Sequence, residues 1–343
     1  SPLIHSILIS AMIMGTLITM TSNHWLLAWL GLEINMMAIV PLISKTHHPR
    51  ATEATIKYFL AQTGASMLML FSSSINAWHL GTWDITQLTN PMACTTLTIA
   101  LCMKIGLAPM HLWLPEVMQG TTLKMALIIA TWQKLAPISL IIMTSNSHSK
   151  FLLMTMATLS IIIGGWGGIN QTQMRKIMAY SSIANMGWMI IILQQAPKLT
   201  TLTLFLYILM TTTLFMTLIP QKTKTIKAIG TTWMMSPPLT AIMMLTLTSL
   251  GGLPPMTGFM PKWLILEKML FENMTTLATI TAMATLLSLF FYLRLFYSTT
   301  MTIFPSTSTA TQKWRHQMKT TTIMMLMTPP TLMLLPMLPL IMP

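Results

Sequence analysis

Apolar stretches of about twenty residues, almost free of charged side chains, follow one another along the whole sequence. A helix rises about 1.5 Å per residue, so about twenty residues cross the ~30 Å apolar layer of a bilayer. Only 7% of the 343 residues are charged, whereas a soluble domain has roughly 25%. The pattern predicts an all-α fold, a polytopic bundle of transmembrane helices.

Turn-forming and charged residues divide the sequence into eleven predicted spans. These spans lie near 3–21, 24–43, 54–77, 91–110, 124–143, 151–170, 174–193, 199–219, 236–258, 273–297 and 321–341. The first stretch has neither a basic leader nor a small-residue cleavage site, so we expect a membrane helix there and not a signal peptide.

The net charge of +13 would suggest a nucleic-acid partner in a soluble protein, but here the bases are scattered along loops, which predicts no such partner. When the loops are numbered alternately by side, twelve basic residues fall on one side: Lys45, Arg50, Lys57, Lys124, Arg175, Lys176, Lys222, Lys224, Lys227, Lys313, Arg315 and Lys319. The other side has Lys150, Lys198 and Lys268. Loops rich in Lys and Arg stay on the negatively polarised side, so the N-terminus is predicted there.

One motif occurs twice, as Gly106-Leu-Ala-Pro109-Met-His-Leu-Trp113-Leu-Pro115 and as Gly252-Leu-Pro-Pro255-Met-Thr-Gly-Phe259-Met-Pro261. The copies close the fourth and the ninth predicted span, and an odd number of spans between them gives two halves of inverted topology. Inverted repeats with discontinuous helices are typical of transporters. Gly-Leu-Pro is also a common helix terminator, so a chance match is the alternative.

The repeat divides the chain into a first five-helix repeat at 1–150, a second, inverted five-helix repeat at 151–300 and a C-terminal helix at 321–343. Broken helices free backbone carbonyl groups at membrane depth. Such groups are tolerated only where protein or a water-filled cavity satisfies them.

Four ionisable residues fall inside the predicted apolar zone: Glu33, Lys104, Lys134 and Lys262. A charge there costs several kcal/mol unless it meets a partner or water. Lys104 or Lys262 alone could reach to the membrane surface, and Glu33 could form a structural ion pair. Lys134 has about ten apolar residues on each side and fits the surface explanation least.

A lysine away from water releases its proton more readily, and a nearby carboxylate makes it hold the proton more tightly. Three lysines and one glutamate therefore provide titratable stations for a proton relay, whereas a cation channel would show rings of carboxylates or carbonyls. The histidines lack paired ligand spacing, Cys94 and Cys102 share one apolar span, and no nucleotide-binding fingerprint is present. We expect no cofactor, no metal and no redox chemistry in this chain.

Several segments together resemble one family, the chain 2 members of NADH-ubiquinone oxidoreductase, which are antiporter-like membrane-arm subunits of mitochondrial respiratory complex I. The resemblance covers about residues 20–305. It rests on Gly31-Leu-Glu33, His48-Pro-Arg50-Ala-Thr-Glu53, Lys57-Tyr-Phe, Met103-Lys104-Ile-Gly through Leu-Pro-Glu116, Thr131-Trp-Gln-Lys134, Asn170-Gln-Thr-Gln-Met through Ala-Tyr180-Ser-Ser, and Gly251-Gly-Leu-Pro-Pro through Lys262-Trp.

The resemblance implies an antiporter-like fold in the mitochondrial inner membrane and a proton path coupled to electron transfer from NADH to ubiquinone. NADH, FMN, iron-sulfur clusters and ubiquinone would belong to other subunits. The partners implied are the other membrane-arm and accessory subunits and inner-membrane phospholipids such as cardiolipin.

The family's roles carry over to four matching residues. Glu33 and Lys104 would form a charge pair, Lys134 the central relay, and Lys262 the station on the exit side. The family usually has histidine near Asn185, so we expect water held by Asn185 and Tyr180 to act there instead.

Two other functions are compatible with the residues: a stand-alone cation/proton antiporter and a non-conducting scaffold within the complex. The intramembrane charges argue against a scaffold. The single intramembrane acid argues against sodium binding, which needs several oxygen ligands.

Overall fold

The computed structural model describes residues 2–45, 47–301 and 322–337, and these residues fold mainly into helices. From the N-terminus the helices are α1 (Pro2–Thr21), α2 (Trp25–Ser44), α3 (Pro49–Leu80), α4 (Pro91–Ile105), α5 (Trp113–Gly120), α6 (Leu123–Ala130), α7 (Trp132–Met143) and α8 (Lys150–Ile169). They continue as α9 (Met174–Ile191), α10 (Pro197–Gln221), α11 (Ile226–Met235), α12 (Pro237–Gly251), α13 (Phe259–Phe271), α14 (Thr275–Thr300) and α15 (Thr322–Met333).

Six helical stretches in the described part of the chain are long and apolar enough to cross a membrane: α1, α2, α6 with α7, α8, α10 and α14. Of the other predicted spans, α3 and α9 are long but carry more polar residues, while the apolar helices α4 and α12 stop short at a break. The all-α bundle with discontinuous helices is therefore confirmed. The eleventh predicted span (321–341) lies partly outside the described residues, and Lys313, Arg315 and Lys319 lie wholly outside them.

Four predicted boundaries differ from the helices that form. The fourth and ninth spans were predicted to end at residues 110 and 258, but α4 ends at Ile105 and α12 at Gly251, and a new helix begins after each break. Helix α11 lies in a segment predicted to be a loop, and the fifth span is interrupted between α6 and α7.

The chain forms two compact units. The first comprises Ser1–Ser160 and Leu193–Pro197, and the second comprises Ile161–Ile192 and the described residues of Lys198–Pro343. The repeat boundaries at residues 150 and 300 stay predictions.

Helices α1 and α2 pack closely because two glycines face each other across their interface. A Cβ atom added to Gly15 would lie 2.7 Å from the Gly31 carbonyl oxygen and 2.9 Å from the Asn35 nitrogen. A Cβ added to Gly31 would lie 2.6 Å from a Thr19 methyl group. Small residues let membrane helices approach in this way, and the contact holds the position of α2.

Replacing Gly31 by alanine should force α1 and α2 apart, since the added methyl group overlaps backbone atoms of α1 as well as the Thr19 side chain. We expect a cost of about 1–3 kcal/mol, typical of overpacking, visible as a lower melting temperature in detergent. Gly64→Ala is the matched control, because its new methyl group would meet only a Met103 methyl at 3.7 Å. Equal melting temperatures for the two variants would contradict this packing.

His148 is buried in the loop between α7 and α8, with 5% of its surface exposed. The Thr144 hydroxyl donates to the Leu140 carbonyl oxygen, so His148 Nε2, 2.7 Å away, donates to the Thr144 oxygen. That leaves Nδ1 as a buried acceptor with no partner among the described residues. Burial lowers the pKa of His148 to about 4, because the imidazolium would lose its hydration.

The buried His148 should make the protein acid-labile. Its pKa in the unfolded chain is about 6.5, so the unfolded state binds more protons between pH 6.5 and about 4, and stability falls as the pH is lowered through that window. The full loss is of the order of 3 kcal/mol. Melting temperatures at pH 7 and pH 5 should differ less in His148→Gln than in the parent.

The control is His79→Gln, because His79 is exposed at the end of α3. This variant should retain the parental difference between the two pH values. If His148→Gln also retains it, the acid lability arises elsewhere.

Candidate functional site

The first repeat motif ends helix α4 inside the protein. Gly106 adopts φ +85°, a left-handed conformation that glycine tolerates, and its N–H donates to the Cys102 carbonyl oxygen. The next two carbonyl oxygens of α4 have side-chain donors: Trp113 Nε1 lies 3.1 Å from the Met103 oxygen, and Gln62 Nε2 lies 3.4 Å from the Lys104 oxygen. Side chains thus satisfy groups that the break would leave bare.

The second repeat motif ends helix α12 in the same local conformation. Gly252 has φ +80°, and in each motif the proline three residues after this glycine follows a cis peptide bond. The donor here is Lys262 at the start of α13, whose Nζ lies 2.7 Å from the Gly251 oxygen and 3.4 Å from the Leu250 oxygen. One ammonium group therefore caps the carbonyl end of α12.

The two copies of the motif carry their buried lysine at different positions. Lys104 lies in the last turn of α4, two residues before the first break glycine, and the equivalent residue in the second copy is Leu250. Lys262 is the tenth residue after the second break glycine, and its equivalent in the first copy is Glu116. Both lysines lie near the carbonyl end of a helix, where the helix dipole favours positive charge.

Glu116 connects α5 to the start of α3 through Lys57. Lys57 Nζ lies 2.5 Å from a carboxylate oxygen of Glu116 and 2.5 Å from one of Glu53. All three side chains are partly exposed on the first turns of α3 and on α5, before the apolar part of α3. Hydrogen bonds to Glu116 and Glu53 raise the pKa of Lys57, and the bond to Lys57 lowers the pKa of Glu53.

A third discontinuity, which the sequence did not indicate, lies beside Lys134. Helix α6 ends at Ala130 and α7 begins at Trp132, with Thr131 at φ −114° and ψ −70° between them. Pro137 inside α7 has no N–H to donate to the Gln133 carbonyl one turn earlier. Lys134, with 4% of its surface exposed, is buried in this irregular turn.

Lys104 and Lys134 border one small cavity in the first unit. Its volume is about 10 Å³, close to what one water molecule requires. The lining residues are Tyr58, Gln62, Lys104, Ile105, Trp113, Leu114, Ile129, Gln133 and Lys134. Four neutral side chains that can form hydrogen bonds therefore line the cavity with the two buried lysines.

Glu33 on α2 does not line this cavity, but its carboxylate interacts electrostatically with Lys104 and with Tyr58. Within the described residues, no ion pair within 4.0 Å joins Glu33 to Lys104. The structure thus brings Glu33, Lys104 and Lys134 into one neighbourhood without direct charge contact between Glu33 and Lys104.

Lys262 borders a cavity of about 30 Å³ in the second unit. Asn185 and Tyr207 lie in its wall with Trp188, Met189, Thr203, Met210, Leu250, Gly258, Pro261 and Ile265. Tyr180 is not one of the residues that line this cavity, and its ring packs against Gly167 of α8.

Four polar residues of the two cavities were not predicted from the sequence, because none of them carries a charge: Gln62, Gln133, Trp113 and Tyr207. A usable signal was present, since each is a hydrogen-bonding side chain within or beside a predicted apolar span. No group of three or more His, Cys, Asp or Glu side chains that could hold a metal ion occurs in the part of the chain that the structure describes.

The loop of the second break is packed against α12 at Gly258, where an added methyl group would collide with the Ser249 carbonyl oxygen. Gly258→Ala should displace this loop and with it the capping bond of Lys262, at a cost of about 1–3 kcal/mol. Hydrogen exchange of the amides in 252–262 should therefore become faster. Gly251→Ala is the control, since its methyl group would meet only Tyr292 at 3.7 Å or more, and equal exchange in both variants would refute this assignment.

Two family models match the chain. The model described as NADH:quinone oxidoreductase/Mrp antiporter, TM, covers residues 22–288, and the model described as NADH dehydrogenase subunit 2 C-terminus covers residues 289–342. Proteins named NADH-ubiquinone oxidoreductase chain 2 are similar over nearly the whole length. The one from Carassius auratus is 53% identical over 99% of this chain and 98% of its own, and the one from Gallus gallus is 52% identical over 96% of each.

Solved structures share the fold at much lower identity. A chain of respiratory complex I from Thermus thermophilus superposes with a TM-score of 0.82 at 22% identity, over 97% of this chain and 79% of that one. A chain of the Mrp complex from a Dietzia species superposes with a TM-score of 0.75 at 16% identity, over 83% of this chain and 58% of that one.

Proposed function

The chain belongs to the NADH:quinone oxidoreductase/Mrp antiporter membrane family, within its NADH-ubiquinone oxidoreductase chain 2 group, and on this basis we propose that it relays protons within respiratory complex I through Lys104, Lys134 and Lys262. It is a membrane-arm subunit of the proton-translocating NADH:ubiquinone reductase. Electron transfer from NADH to ubiquinone, with FMN and the iron-sulfur clusters, takes place on other subunits.

The membrane is the mitochondrial inner membrane, with the basic loops on the matrix side. The asymmetry of loop charge supports this orientation, because loops rich in Lys and Arg are retained on the negatively polarised side. The partners are the other membrane-arm and accessory subunits, and cardiolipin headgroups fit the basic loops by charge.

One observation carries the relay proposal: two buried lysines on different helices, Lys104 and Lys134, border the same cavity of about one water molecule. Two ammonium groups so placed repel each other, so a proton on one lysine disfavours a proton on the other. A water molecule in the cavity would supply the hydrogen-bonded contact along which a proton passes between the two lysines.

The rest of the complex acts on this proton relay through Glu33. Its carboxylate attracts the charge on Lys104, so a displacement of Glu33 relative to Lys104 changes how firmly Lys104 holds its proton. A change in the protonation of Lys104 then changes how firmly Lys134 holds its own proton. One pKa unit corresponds to about 1.4 kcal/mol and a proton crossing 100 mV costs about 2.3 kcal/mol, so a change of about two units suffices for translocation.

Lys262 is the station on the exit side in the second unit. Its ammonium group bonds two backbone carbonyls instead of a carboxylate, and such neutral partners do not hold the proton by ion pairing. In place of the family's usual histidine, Asn185 shares the wall of its cavity and supplies an amide to bind water. Tyr180 is the more distant contributor to that water chain.

Lys134→Met should lower the number of protons translocated per NADH oxidised while the complex still assembles, because methionine fills the lysine's volume and cannot carry a proton. Proton uptake is measured in liposomes containing the purified complex. Assembly is checked on a native gel stained for NADH oxidation, with the chain identified by its tryptic peptide 51–57.

Lys124→Met is the matched control, since Lys124 is exposed at the start of α6 ten residues away. This variant should translocate protons as the parent does. A parental proton yield in Lys134→Met would exclude Lys134 from the relay.

A further inference from the structure

The side-chain amide of Gln133 joins two helices directly beside Lys134. Its Nε2 donates to Asn35 Oδ1 on α2 at 2.7 Å, and its Oε1 accepts from the Tyr58 hydroxyl on α3 at 3.3 Å. Asn35 and Tyr58 are each buried to 2% exposure. Both ends of the amide are therefore engaged away from water, where a hydrogen bond is strong and its loss is costly.

Asn35 lies two residues after Glu33 on the same helix, so the amide bond ties α7 to the helix that carries the glutamate. Direct packing between α2 and α7 is slight. Of the contacts that α7 makes with α1, α2, α4 and α6, the contact with α2 is the smallest. A movement of α2 therefore reaches α7 by two routes, through α1, which packs against both helices, and directly at the first turn of α7 through this bond.

Gln133 also lies in the part of α7 whose backbone can shift when α2 moves. The discontinuity at Thr131 lies two residues before Gln133. Pro137 has no N–H, so the backbone carbonyl of Gln133 lacks the donor that a regular helix would give it. The first turn of α7 is therefore less constrained by its own backbone than a regular helix. The neighbouring residue, Lys134, borders the same cavity as Gln133.

We propose that Gln133 is a positioning residue of the proton relay: its amide links α2, which carries Glu33, to the first turn of α7, which carries Lys134. Displacement of α2 pulls on the Asn35 to Gln133 bond and moves Lys134 relative to Lys104. Glu33 then acts on Lys134 by two routes, through the charge of Lys104 and mechanically through the amide. This inference rests on the proposed relay function of Lys134.

The test removes the bond from each end. Asn35→Ala, Gln133→Met and the double variant are compared with the parent and with Lys134→Met, by proton translocation per NADH in liposomes containing the purified complex. Each single variant should lower the proton yield, and the double variant should lower it no further, because a bond lost from one end cannot be lost again from the other. Ser139→Ala is the control on α7, since its hydroxyl bonds within its own helix, and it should keep the parental yield.

The outcomes separate the two proposals. If both single variants keep the parental yield while Lys134→Met loses it, or if the losses in the double variant add, the positioning role is wrong and the relay stands. If Lys134→Met itself keeps the parental yield, the relay function is wrong, and this inference falls with it. Should Gln133→Met not assemble, Asn35→Ala decides the question, because it removes the acceptor of the same bond and leaves Gln133 in place.

Discussion

Helix ends inside an apolar protein must find hydrogen-bond donors for their last carbonyl groups, and this constraint shapes the two breaks at the repeat motifs. In water these groups would be hydrated, but in a bilayer each bare carbonyl costs several kcal/mol. At the first break Trp113 and Gln62 supply the donors, and at the second Lys262 does so. Polar side chains and small cavities therefore lie where the helices end, and together they form the candidate site.

The same constraint explains how lysines persist in the apolar zone. Burying a cation against a fixed carboxylate would hold its proton and leave an unpaired charge whenever that proton departed. Lys262 is instead stabilised by backbone carbonyls, and Lys104 lies at the negative end of a helix dipole. The carbonyl partners of Lys262 favour its charged form without carrying a full charge, so Lys262 can change its protonation state without leaving an opposite charge unpaired.

The sequence predicted the uninterrupted helices well and the interruptions less well. The predicted spans at 3–21 and 151–170 correspond to Pro2–Thr21 and Lys150–Ile169, because uniform apolarity and flanking turns mark such helices clearly. At the breaks, a left-handed glycine ends each helix several residues before the predicted end, and a second helix resumes after the prolines. The interruption at Thr131 was missed because Ala-Thr-Trp-Gln contains no glycine or proline.

The sequence by itself determined the all-α membrane fold, the two break motifs and the positions of Glu33, Lys104, Lys134 and Lys262 along the chain. Only the tertiary structure decided that Lys104 and Lys134 share a cavity and that Gln133 bonds Asn35 and Tyr58. The physical reason is the solvent. In a bilayer the outer and the inner face of a helix are both apolar, so hydropathy does not reveal how a helix is rotated about its axis or which polar side chains meet.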